Sequence, residues 1–186
     1  MKIIENAINP LLLRSLWNFW PDQNSRIWHH YNDSNAQKYA TKSHNDLPEI
    51  ANQCIYQMID VVSGFVEPYV FADLMLHGAG MHMLGTGGFL SRHLDSSLME
   101  STGWKREYSC VLSVNPEWKP EWGGEFVLRD EKVMPEFNQL TLFKCTDDSF
   151  HEVLKVKGPE SRCTLCIFLW SLADQSNNIR KNAHFI

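Results

Sequence analysis

The chain has 186 residues and a mass of 21.6 kDa, which fits one domain with a helical extension. A net charge of -5 leaves no broad basic footprint for nucleic acid, and 44% hydrophobic with 21% charged residues argues against disorder. No apolar run reaches the roughly 18 residues of a membrane span, and Met1 to Asn6 lacks the apolar stretch of a signal peptide. A cytoplasmic protein with no nucleic-acid or membrane partner is expected. Its oligomeric state is not legible in the sequence.

The first third reads as helical. Leu11 to Trp20 is apolar and stops at Pro21, which cannot continue a helix comfortably. Residues 22–45 are polar and read as a surface loop, with a lid over a site as the second reading. Asp46 reads as the N-cap of the next helix, with Pro48 in its first turn and Glu49 completing a capping box. Ile50, Cys54, Met58, Val61 and Phe65 recur at helical spacing, and Gly64 and Pro68 close the segment.

From about residue 69 the pattern changes to short strands between Gly- and Pro-bearing turns. The strands expected are Phe89–Asp95, Tyr108–Asn115, Glu125–Leu128, Gln139–Cys145, Glu152–Val156 and Arg162–Leu172. Such spacing indicates a mainly β fold with N-terminal helices, a sandwich, barrel or jelly roll. One catalytic domain is expected, with helical support and loop over 1–68, the β core over 69–175 and a tail over 176–186. Cys163 and Cys166 form a C-x-x-C, but on a strand residues three apart face opposite ways, so buried thiols are expected rather than a zinc or redox site.

Histidine followed two residues later by a carboxylate is a weak motif. Chance supplies about one match in a chain with 8 His and 22 Asp+Glu. His44-Asn45-Asp46 is explained by helix capping. His93-Leu94-Asp95 ends a strand, where residues i and i+2 share a face and can bind one ion. His151 opens a later strand and offers a third ligand. Arg162 heads the most apolar strand of the chain, and a buried arginine needs an anion that matches its fork. Thr164 shares its face and adds a hydroxyl donor. Two His and one carboxylate with an open side form the facial triad of non-haem Fe(II) oxygenases, and a nearby Arg can hold the far carboxylate of a chelating 2-oxo acid.

On these residues the sequence resembles the 2-oxoglutarate- and Fe(II)-dependent dioxygenases, in particular their prolyl 4-hydroxylase-like branch. The landmarks run from Gly85-Thr86-Gly87-Gly88-Phe89-Leu90-Ser91-Arg92-His93-Leu94-Asp95 through Val114-Asn115-Pro116-Glu117-Trp118 and Gly123-Gly124-Glu125 to His151-Glu152-Val153 and Arg162 to Trp170. The resemblance implies a double-stranded β-helix, or jelly roll. It implies His93, Asp95 and His151 as iron ligands and Arg162 as the partner of the 2-oxoglutarate 5-carboxylate, these four making up the catalytic set. Met83 and Ser113 stand where relatives often carry tyrosines beside the cosubstrate. Arg106 reads first as a surface residue and second as a substrate contact. Trp118 and Trp122 are the best exposed candidates for a peptide groove. The implied activity is hydroxylation of a C–H bond with release of succinate and CO2, using Fe(II), 2-oxoglutarate, O2 and ascorbate as reductant. A prolyl residue of a peptide or protein is the favoured substrate. Open alternatives are an oxygenase acting on a free amino acid or small metabolite, a cupin-like metal protein without oxygenase activity, and a catalytically silent β-sandwich that binds partners.

Overall fold

The computed structural model describes residues 1–172, 180 and 182–186. Two α-helices, α1 (Pro10–Asn18) and α2 (Glu49–Ser63), accompany fourteen strands among these residues. The strands are β1 (Lys2–Ile4), β2 (Trp28–Asn32), β3 (Ala36–Thr41), β4 (Phe71–Ala72), β5 (Gly80–Leu84), β6 (Phe89–Leu94) and β7 (Leu98–Met99). They continue with β8 (Trp104–Ser113), β9 (Phe126–Leu128), β10 (Glu131–Val133), β11 (Leu140–Lys144), β12 (His151–Val153), β13 (Arg162–Leu172) and β14 (His184–Phe185). All pair antiparallel in one curled sheet; ten follow the order β1-β11-β8-β13-β5-β3-β6-β12-β9-β10, while β2 pairs with β3, β4 with β13, β7 with β8 and β14 with β6. This is the expected jelly-roll architecture. Among the described residues no helix is long and apolar enough to cross a membrane.

The alternation of β13 organises the molecule. Cys163, Leu165, Ile167 and Leu169 join the apolar core beneath the helices. Arg162, Thr164, Cys166 and Phe168 face the opposite way, into a cavity enclosed by the curl. The helices cover the outer face. On α2 the buried stripe is Ala51, Cys54, Ile55, Met58, Ile59 and Val62, the i, i+3, i+4 pattern of one helix face. The apolar stripe therefore runs about one residue off the expected line, and Phe65 lies outside it, exposed, under the Lys2 ammonium.

Three local expectations are corrected. Asp46 does not cap α2: Pro48 occupies that position, and Asp46 belongs to a short 3-10 turn opened by the Ser43 hydroxyl. Residues 22–45 are not simply a loop. They hold the β2–β3 hairpin, and β3 joins the two halves of the sheet. Ala36 and Gln37 pair with Leu90 and Phe89 of β6, while Tyr39 and Ala40 pair with Met83 and His82 of β5. Nor is the chain's end only a tail. Part of 173–181 lies outside the described residues, but β14 pairs with His93 and Leu94 of β6. All five cysteines are buried and free, as expected.

Candidate metal and 2-oxo acid site

β6 and β12 lie side by side, with His93 directly opposite His151. Asp95 follows β6 two residues after His93. The three side chains offer ligand atoms that all lie within 4.8 Å of one another. Each histidine is oriented by the same device. His93 Nδ1 lies 2.8 Å from the Ser91 carbonyl oxygen, and His151 Nδ1 lies 3.0 Å from that of Ser149. A carbonyl can only accept, so Nδ1 carries the proton and donates, leaving the Nε2 lone pair for a metal. Both Nε2 atoms face Asp95 Oδ1, at 3.7 and 3.8 Å, too far for hydrogen bonds.

The other oxygen of Asp95 is occupied. Oδ2 accepts from the Ser109 hydroxyl at 2.7 Å and lies 3.3 Å from Arg106 Nη1. Burial opposes the Asp95 charge, but His93, Arg106, His151 and Ser109 outweigh it and hold the carboxyl well below its usual range. Burial, with the neighbouring His93, pushes His151 down to about 4 although Asp95 opposes the shift. The imidazole is therefore neutral near pH 7, as a ligand must be. This donor set of two imidazoles and one carboxylate oxygen fits a divalent transition metal.

A cavity of about 170 Å³ opens from this cluster. Apolar side chains that include Leu84, Leu90, Phe126, Phe143 and Val153 wall it, and Arg162 and Thr164 line it as well. Arg162 is 3% exposed, and its Nε has no hydrogen-bond partner. No carboxylate of the described residues lies within ion-pair distance of it. Burial lowers its pKa to about 10, so it stays charged near neutral pH. A buried cation without an anion is costly, and a planar guanidinium fork placed here could hold the distal carboxylate of a 2-oxo diacid. Gly124 makes room for its stem. At φ +74° an added Cβ would meet Arg162 Cδ at 3.2 Å and Trp118 Cζ2 at 3.2 Å.

The remaining candidates separate. Met83 packs in the apolar core, because its strand neighbours His82 and Leu84 take the cavity face. Ser113 is buried next along from Ser109 and Val111 on β8, yet it does not line the cavity. Arg106 is not a surface residue. Its guanidinium lies 3.5 Å from the Phe168 ring centre and reaches Asp95. Trp118 and Trp122 meet edge to face at 5.4 Å beside the Gly123 turn, and Trp122 lines a separate groove with Trp17 and Glu160. Sequence reasoning weighed His82 only as the neighbour of Met83 and missed Lys38, Ser109 and Phe185, the last of which stacks on His93 at 5.1 Å. Strand parity from Thr164 to its partner His82 could have found His82. Nothing local marks the other three.

Residues 79–170 match the model of the 2OG-Fe(II) oxygenase superfamily. No curated protein matches the chain. Among solved structures, a Pseudomonas putida prolyl-4-hydroxylase is similar with a TM-score of 0.70 at 18% identity, over 92% of each chain. A Trichoplax adhaerens prolyl hydroxylase, solved with a hypoxia inducible factor oxygen degradation domain peptide, is similar at 0.64 and 17%, over 92% of this chain and 82% of that one. HygX from Streptomyces hygroscopicus, solved with nickel, 2-oxoglutarate and hygromycin B, is similar at 0.64 and 8%, over 98% and 91%. At such identities the structural likeness speaks for the fold alone.

Proposed function

With the β core over residues 79–170 belonging to the 2OG-Fe(II) oxygenase superfamily, a family that uses Fe(II), 2-oxoglutarate and O2, we propose that this chain hydroxylates a C–H bond, with a prolyl residue of a peptide or protein as its favoured substrate. The observation that carries the activity is the pairing, on one cavity, of the His93–Asp95–His151 cluster with the buried, unpartnered Arg162. The preference for proline is supported by the two prolyl hydroxylases of similar fold.

His93, Asp95 and His151 hold the metal through Nε2, Oδ1 and Nε2. Ser91 and Ser149 fix the imidazoles by their carbonyls, and Ser109 with Arg106 turns Asp95 so that Oδ1 points inward. Arg162 takes the distal carboxylate of 2-oxoglutarate with its planar fork, and Thr164 contributes a hydroxyl beside it. When bound, Fe(II) with 2-oxoglutarate supplies O2 activation for C–H hydroxylation, with succinate and CO2 released. The apolar walls keep water from the reacting centre. HygX, solved with hygromycin B, has a similar fold, so an oxygenase of a small molecule is the second reading.

The test is anaerobic visible absorption of the protein with Fe(II), before and after 2-oxoglutarate. A charge-transfer band that is lost in His151→Ala is expected, and a chain that binds iron without forming the band contradicts the proposal. Succinate release with proline-containing peptides set against free amino acids and aminoglycosides then separates the two substrate readings.

A further inference from the structure

We propose that Lys38 is a second carboxylate anchor of the cavity, acting with Arg162 on the same 2-oxo diacid. This role rests on the reading of the cavity as a 2-oxoglutarate site and deepens it.

Lys38 sits where β3 changes partner, between Gln37, which pairs with β6, and Tyr39, which pairs with β5. Its backbone is therefore held by both halves of the sheet. Gln37 and Tyr39 face an outer groove with His30, so Lys38 faces the inner cavity, flanked on its own face by the buried alanines Ala36 and Ala40. Two small neighbours leave space for one long side chain, and that side chain carries a positive charge.

Charge within the cavity is unbalanced. Its lining includes the cations Lys38 and Arg162 and a single carboxylate, Asp95. Asp95 is already engaged by Arg106 and Ser109. Among the described residues no Asp or Glu lies within ion-pair distance of Lys38 or Arg162. Both cations act on one buried ring: the protonated form of His82 is opposed by burial first, then by Lys38 and Arg162. His82 is thus a neutral part of the cavity lining, with its Nδ1 at 3.4 Å from Cys166 Sγ. Two cations facing one cavity are matched by a ligand with two carboxylates, because each uncompensated charge there disfavours the cavity without one.

The experiment is calorimetric titration of the full chain loaded with redox-inert Mn(II). The ligands are 2-oxoglutarate and 2-oxopentanoate, which lacks the distal carboxylate. Lys38→Met is expected to weaken 2-oxoglutarate about tenfold or more, the loss of one charged contact, and Lys38→Arg to restore most of it. If 2-oxopentanoate is unaffected by Lys38→Met, the anchor serves the distal carboxylate beside Arg162. Equal weakening of both ligands also supports the anchor but assigns it to the carboxylate nearer the metal. Unchanged affinity for both ligands, in a Lys38→Met protein that melts with the wild type, overturns the proposal while leaving the 2-oxoglutarate site intact. A wild-type chain that binds Mn(II) but no 2-oxoglutarate overturns both.

Discussion

The two ends of the cavity are built on opposite plans. At the metal end the second polar atom of each ligand side chain is already held: the two Nδ1 atoms by carbonyls two residues back, and Asp95 Oδ2 by Ser109 and Arg106. At the anchor end the reverse holds. Arg162 is buried with an unpartnered Nε, and Lys38 faces the same space with no carboxylate beside it. The metal end is pre-organised by short-range contacts and is complete as a ligand set. The anchor end, in the proposed reading, carries uncompensated cations that a dicarboxylate would complete. Pre-organisation fixes geometry at the metal end, whereas under the proposed function uncompensated cations would select the ligand at the other.

The strongest way to break this contrast is at the metal end. His93→Ala or Asp95→Ala should cost more than the roughly 10–100-fold typical of supporting residues, abolishing both metal retention and turnover. Metal content after gel filtration and succinate release check it, and a variant that keeps full turnover removes the metal assignment.

Arg162→Met should leave metal affinity unchanged and weaken 2-oxoglutarate on the order of a hundredfold, the value of a bidentate charged contact. Calorimetry with Mn(II) and then with 2-oxoglutarate separates the two steps. Loss of both together would mean that the ends are not independent.

Ser109→Ala sharpens the comparison from the other side. With one of the partners of Oδ2 gone, Asp95 can turn, so metal affinity should fall about tenfold. Arg162 remains in place in this variant. Affinity for 2-oxoglutarate measured at saturating metal should therefore stay near the wild-type value.

The smallest effect lies outside the cavity. Lys144 and then Tyr108 hydrogen-bond Glu67 at 2.6 and 2.7 Å and bring its carboxyl from 4.5 down to about 2. A carboxyl depressed in the fold stabilises it above the unfolded value, and that contribution is lost as pH falls from about 4.5 to about 2. The Glu67 side chain is 35% exposed, so solvent screens the pair. Glu67→Gln should lower Tm by under about 2 °C at pH 7, and the difference should vanish near pH 2. A pH-independent difference would assign the effect to packing.

Much of the metal end was legible because its information is local. His93 and Asp95 are two residues apart on a strand, which places them on one face whatever the rest of the chain does. Strand β13 was read with its observed bounds, since an 11-residue run of mostly apolar residues buried on both faces has few other solutions. The anchor end was half legible. Arg162 stood out as a charge heading that strand, but Lys38 sits in a polar segment that reads as a loop. Only pairing with β5 and β6 makes that segment a strand. Met83 stands where relatives often carry a tyrosine, but the parity of β5 sends it into the core and gives the cavity face to His82.

The order of residues alone determined the local geometry of this protein: the His-x-Asp face, the alternation of β13, the apolar stripe of α2 to within a residue and the burial of the thiols. Those properties follow from the two- and 3.6-residue periods of the backbone. Tertiary structure decided the rest. It set His151 opposite His93, brought Ser109 and Arg106 to the back of Asp95, stacked Phe185 on His93 and turned Lys38 inward beside Arg162. Each of these contacts joins residues far apart in the chain, and a contact of that kind exists only once the sheet has curled and its register is set.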